Sequence, residues 1–204
     1  RLIRRQRQMC IRDRVARTID RFVCGYAVAT VDEGLKLRRH GIEKEILSLG
    51  PVSASRYQEC LENDISLPMF EYRRAKELSD AAVAEEKTAK IHIAVDTGMS
   101  RIGLFPDEGS VEIVKEIAEL PALRIAGMFT HFARADEADK TNAGEQYRRF
   151  REFCDDVKAA GVAVPVCHCS NSAGIVELPD FNMDAVRAVS YTHLRAHETC
   201  ADLV

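Results

Sequence analysis

Between residues 22 and 189, short apolar runs take turns with longer charged stretches of helical period. The pattern predicts strands over 22–30, 45–49, 66–70, 91–95, 123–132, 162–169 and 184–189. Between them it predicts helices over 31–40, 55–63, 71–88, 109–120 and 142–160, and a short helical turn from Asn171. Thr30 or Asp32 can cap the first helix, and Gly41 and Gly161 can end the first and the last long one. Ile91, Ile93 and Val95 alternate and are β-branched; they run into the turn Asp96-Thr97-Gly98 and then Arg101. Tyr147, Phe150, Phe153 and Val157 recur at helical spacing and read as the core stripe of their helix.

Strand and helix alternate about seven times, which implies a parallel sheet with helical crossovers. Two architectures satisfy that order: a doubly wound open sheet, or a (β/α)8 TIM barrel. No GxGxxG or phosphate-loop fingerprint follows any strand, which weakens the dinucleotide-binding sheet. The polar candidates instead gather at strand ends: Asp96 and Arg101, His131, Asn171 and Ser172, and Arg187. Several strands each giving one or two polar groups to the same rim is the layout of a barrel active site. The expected fold is therefore an incomplete TIM barrel, one strand short, with the gap placed before residue 15.

Composition narrows the partners. The chain has 204 residues, 46% hydrophobic and 30% charged, enough for a real core. No long apolar run suggests a membrane span or a secretory leader. A net charge of −3 gives no case for nucleic acid or an acidic membrane. Seven cysteines with no framework spacing read as reduced thiols of a cytoplasmic protein. The ends differ from the middle. Residues 1–14 hold six arginines without a core-facing period. Both QRQMCIRDR and SYTHLRAHET resemble peptides that arise when sequencing-adapter DNA is translated at the ends of assembled fragments. Residues 1–14 and 190–204 are accordingly read as non-native extensions, and 15–189 as the natural segment.

Four segments carry the chemistry: AVDTGMSRIG (94–103), MFTHFARADE (128–137), CHCSNSAG (167–174) and MDAVR (183–187). In this order, near predicted strand ends, they resemble the alanine racemase family. The stretch AVATVDEGLKLRRHGIEKEILSLG (27–50) extends the similarity. The resemblance implies a pyridoxal 5'-phosphate enzyme built as a barrel followed by a C-terminal β domain, assembled as a homodimer at full length. Its reaction would interconvert L- and D-alanine by a two-base mechanism, supplying D-alanine as a peptidoglycan precursor. By resemblance Arg101 would hold the catalytic tyrosine and the substrate carboxylate, for which a guanidinium fork is suited. Arg187 would face the pyridine nitrogen as a permanent cation, and His131 would support it. Ser172 would bond the phosphate with backbone N–H groups of its turn, and Asn171 would position its neighbours.

The departures from the family matter as much. The family carries its cofactor lysine in a segment like VKANAYGHG ahead of residue 15; here RQMCIRDRVARTI stands there, and no lysine precedes residue 30. After Arg187 the family continues like PGIALYG, whereas this chain reads Ala188, Val189, Ser190, Tyr191. The first strand and the C-terminal β domain, with its tyrosine, are thus expected to be missing, and the chain alone to be inactive. Ala94 stands where some members carry a carbamylated lysine beside the arginine, so Arg101 must be held differently. Alternatives remain: a serine racemase of the same family, or a non-catalytic barrel that binds pyridoxal phosphate. Decarboxylases of this barrel class place a glutamate, not an arginine, opposite the ring nitrogen.

Other clusters read as ordinary structure. Cys167 and Cys169 share one strand face and His168 the other, so the three cannot grip one ion, and no metal is assigned. Asp136, Glu137 and Asp139 read as a solvated acidic loop.

Overall fold

The structure is a computed structural model that describes residues 15–188. The predicted extensions 1–14 and 190–204 lie outside the described residues. Six strands run in chain order: β1 Gly25–Val28, β2 Glu45–Ser48, β3 Ile65–Met69, β4 Ala89–Ala94, β5 Leu123–Phe129 and β6 Cys167–His168. Each pairs in parallel with the next, in the spatial order β1-β2-β3-β4-β5-β6. The sheet curls into a half-barrel, with helices as the crossovers. These are α1 Val31–Arg39, α2 Tyr57–Glu62, α3 Tyr72–Ala84, α4 Glu108–Ala118 and α5 Thr141–Ala159; a short α6, Ser172–Glu177, follows β6.

Alternation along each strand separates two environments. Ile46, Ile65, Leu67, Ile91, Ile93, Met128 and Cys167 pack into the large core under the helices, with Leu78, Val114, Ile117 and Phe150. Phe153 and Val157 join that core and Tyr147 packs against it, so the predicted stripe of α5 is the helix's buried face. A separate small cluster, Leu47, Ala94 and Phe129, lines the opposite face of the sheet. The helix ends follow local rules. Thr30 caps α1 by accepting from Glu33 N, Asp107 caps α4 by accepting from Ser110 N, and Gly41 and Gly161 lie just past α1 and α5 at φ +83° and +89°.

Several predicted strands are shorter than expected; the 123–132 run ends at Phe129, and three others differ more. The 22–30 run begins as a 3-10 turn, Asp20–Phe22, and its strand covers only Gly25–Val28. Lys44 Nζ donates to Val23 O at 2.6 Å and to Asp20 O, fixing that turn outside the sheet. The 162–169 run pairs as a strand only at Cys167–His168. Pro165 has no N–H for a ladder, and Val162 and Val164 pack into the helix-side core instead. The 184–189 run forms one parallel bridge, His168 with Ala185, extended by Asp184 N to Cys167 O (3.0 Å) and Arg187 N to Ser170 O (2.9 Å).

Candidate active site

Beside the small apolar cluster, the interior wall of the half-barrel carries polar groups where barrels usually hold branched aliphatics. Glu45 on β2, Ser66 on β3, His92 on β4 and His168 on β6 point into one connected set. Ser66 Oγ donates to Glu45 Oε1 at 2.9 Å, and His92 Nε2 lies 3.1 Å from the same oxygen. His92 Nδ1 lies 3.1 Å from His168 Nε2, and His168 Nδ1 lies 2.6 Å from Arg187 Nη1. His92 and His168 are 6% and 5% exposed, so each ring nitrogen needs a partner inside the protein.

The backbone makes room for this set. The β4–β5 register shifts by one residue, from Ile91↔Ile125 to His92↔Gly127, which leaves Ala126 unmatched. A Cβ at Gly127 would lie 2.7 Å from His92 Nδ1. The slip therefore places the one residue without a side chain opposite the imidazole.

Arg187 is gripped from several sides. Nη1 donates to His168 Nδ1 and to His168 O (3.1 Å); Nη2 donates to Thr130 O (2.6 Å) and Cys169 O (3.1 Å), with His131 Nδ1 at 3.4 Å. Its guanidinium carbon sits 5.6 Å from the centroid of Phe129, which also stacks on His168 at 5.4 Å. Burial draws the guanidinium down to about 10, so it remains a cation at neutral pH. Burial, reinforced by Arg187, pushes His168 down to about 2; burial, Arg187 and then Arg101 push His131 down to about 4. Both rings are neutral beside a permanent positive charge.

The remaining predicted residues sit on loops at the same end of the strands. Asp96 Oδ1 accepts from Gly98 N (3.0 Å) and Ser100 N (2.9 Å), shaping the turn that presents Arg101. The loop is closed by Asp96 N to Leu104 O (2.8 Å) and Leu104 N to Ala94 O (2.9 Å). Gly103 permits this at φ +130°, where a Cβ would lie 2.4 Å from Asp96 N. Arg101 is exposed, and no hydrogen bond or ion pair holds it among the described residues. Its charge nevertheless reaches both His131 and Arg187. Asn171 caps α6, its Oδ1 accepting from Gly174 N at 2.9 Å, and Ser172 opens that helix directly after the residues that grip Arg187. The structure thus gathers His131, Asn171, Ser172 and Arg187, with Arg101 at the margin.

Sequence reasoning did not single out four residues that build the site. His168 lies on the strand face away from the cysteines, where spacing assigns it no role, yet it makes the shorter contact to Arg187 and His131 the longer. His92 and Glu45 shared its signal: a titratable side chain at an inward position of an otherwise apolar strand. Gln146 is the fourth. It is 1% exposed and ties three pieces together: Ala133 N donates to its Oε1 (2.9 Å), and its Nε2 donates to His131 O and Thr97 Oγ1 (both 3.2 Å). Thr97 Oγ1 in turn lies 2.8 Å from Thr130 Oγ1. Gln146→Leu keeps the volume and strands these groups. A loss of about 2 kcal/mol in urea unfolding is expected; an unchanged midpoint would show that Gln146 does not clamp the loops.

The described residues thus form a parallel half-barrel of the TIM type, with a half-buried arginine and two buried histidines on its inner side. The profile of the alanine racemase N-terminal domain matches residues 12–188. The chain is 45% identical over 175 residues to alanine racemase of Clostridium novyi, covering 86% of this chain and 45% of that protein. The solved alanine racemase of Clostridium difficile superposes with a TM-score of 0.83 at 35% identity, covering 86% of this chain and 46% of that one. The same enzyme solved in complex with cycloserine gives a TM-score of 0.84. The chain belongs to the alanine racemase family and spans less than half the length of these relatives.

Proposed function

We propose that residues 15–188 form the cofactor-binding and carboxylate-binding part of an amino-acid racemase that interconverts L- and D-alanine on pyridoxal 5'-phosphate. One observation carries the reading. Among the described residues, Arg187 has acceptors for both terminal nitrogens but none for Nε. A half-buried cation with one N–H left over suits a neutral ring nitrogen that can only accept. Two neutral imidazoles flank it, so no acidic proton competes for that nitrogen.

Bound pyridoxal phosphate would supply the electron sink that lets the α-proton of an amino acid leave. This chain's residues would do the rest of the positioning. Arg187 would hold the ring nitrogen unprotonated, which limits how far charge spreads and favours simple proton return. His131 would support it from the loop that Gln146 clamps. Ser172 and the first-turn N–H groups of α6 would contribute to the phosphate site, with Asn171 shaping that turn. Arg101, uncommitted within the described residues, would take the substrate carboxylate. The two bases that move the proton are assigned to a lysine and to a tyrosine of a partner subunit, both outside the described segment, so the chain alone is expected not to racemise. A small ligand fits this reading, since the C. difficile relative is solved with cycloserine. No helix among the described residues is long and apolar enough to cross a membrane. We place the protein in the cytoplasm on its cysteines, whose spacing suggests no disulfide framework.

A chimera tests the proposal. Residues 22–187 replace the corresponding segment of the C. novyi enzyme, which keeps its own lysine and C-terminal domain. The chimera is expected to interconvert the alanine enantiomers while the isolated chain does not. A folded chimera without alanine racemisation would reject the reading. Turnover by the isolated chain would reject the assignment of the bases.

A further inference from the structure

The hydrogen bonds between Arg187 and Glu45 can be ordered by chemistry alone. A guanidinium has donors and no acceptor, so His168 Nδ1, 2.6 Å from Arg187 Nη1, must be bare. A neutral His168 then carries its proton on Nε2, 3.1 Å from His92 Nδ1. That proton requires a bare Nδ1 on His92, whose own proton is then on Nε2, 3.1 Å from Glu45 Oε1. The carboxylate accepts from His92 and from Ser66 Oγ at 2.9 Å. The bond to His92, with that from Ser66 and against partial burial, pulls Glu45 down to about 2 and keeps it ionised. Four groups from β2, β4, β6 and the segment after α6 therefore form a single row in which every donor points the same way. No other arrangement serves all three contacts: with its proton on Nδ1, His92 would set that N–H against the Nε2–H of His168 and turn a bare nitrogen to the carboxylate.

We infer that Glu45 is a positioning residue for Arg187, the terminal acceptor of a one-way relay that fixes His92 and His168 as Nε2–H tautomers and so holds the guanidinium in place. The geometry explains why the carboxylate stands at the start of β2, far from the rim. It gives the half-buried cation a counter-charge at the end of a chain of neutral rings, without an acidic group beside the site. Gly127, opposite His92, and Phe129, stacked on His168, keep the rings in the planes this order needs. The consequence for catalysis rests on the racemase reading; the order of the relay does not.

Long-range 1H–15N spectra of the 15N-histidine-labelled chain read the tautomers directly, with His92→Gln and His168→Gln variants assigning the signals. Near neutral pH both rings are expected to be neutral with the proton on Nε2. A proton on Nδ1 of either ring, or a charged ring, overturns the relay. In Glu45→Leu, His92 is expected to lose its single tautomer and the Arg187 Nε–H to exchange about tenfold faster. Glu45→Gln, whose amide oxygen can still accept, is expected to keep the parent signals. Glu45→Leu spectra identical to the parent would make Glu45 a bystander and sink the assignment. If Glu45→Leu does not fold, Glu45→Gln decides: retained tautomers support the acceptor role, and scrambled tautomers or a second failure to fold reject it. These measurements need no cofactor, so a failed racemase reading would show separately, as an inactive chimera with the relay intact.

Discussion

Gly127→Ala is expected to cost at least about 3 kcal/mol of stability, from overpacking a close-packed interior. The added Cβ would lie 2.6 Å from Val166 O, 2.7 Å from His92 Nδ1 and 2.8 Å from His92 Cε1. The first neighbour is backbone and cannot turn aside. It is also the acceptor for Met128 N at 2.8 Å, one of the bonds that join β5 to the β6 segment. The second neighbour is a ring bonded at both nitrogens, so moving it breaks the contact to His168 or the one to Glu45. Urea titration of the variant should give a markedly lower midpoint, together with loss of the His92 tautomer signal. A variant as stable as the parent would mean that the β4–β5 register is not the one described.

Acid should weaken the fold well above the pH at which carboxylates alone would. His168 is held at about 2 and His131 at about 4, both from an ordinary 6.5. For a histidine with a depressed folded value, the unfolded chain takes up the proton first. Stability is then full above pH 6.5 and falls as the pH drops below it. Glu45, held at about 2 from 4.5, adds to the loss only below pH 4.5. Each unit of pH below 6.5 removes about 1.4 kcal/mol per histidine that stays unprotonated in the fold. Going from pH 7 to pH 5 should therefore remove about 2 kcal/mol through His168, with a smaller share from the less buried His131. Unfolding free energies measured across that range check the sign, and His168→Gln should flatten the slope. A stability profile level from pH 7 to pH 5 would contradict the buried neutral rings.

The rim was legible in the sequence to a useful degree. Arg187, His131, Asn171 and Ser172 stand at strand ends in recognisable strings; His131 lies beside Arg187, whose backbone bonds to Ser170, next to Asn171 and Ser172. Arg101 belonged to the same reading and lies where its charge is felt, yet nothing among the described residues holds it. Ala94 gives one reason: a buried methyl group packed with Leu47 and Phe129 offers Arg101 no polar partner. Strand lengths were less legible. An apolar run such as 162–169 looks the same whether it is paired in a sheet or packed under helices, and only its proline hinted at the difference.

Local side-chain chemistry is enough to specify the succession of strands and helices, the caps that start them, the glycines that end them, and which side of each strand is apolar. These are local properties, set within a few residues by side-chain period and backbone sterics. That Glu45, His92, His168 and Arg187 form one row follows from the folded sheet and not from local pattern. His92 meets a partner 47 residues before it and another 76 residues after it. Such contacts depend on the curl of the sheet and on a one-residue slip between β4 and β5. Period two says which face a histidine takes; it carries no information about which strand lies opposite, and that is fixed by the register of the whole sheet.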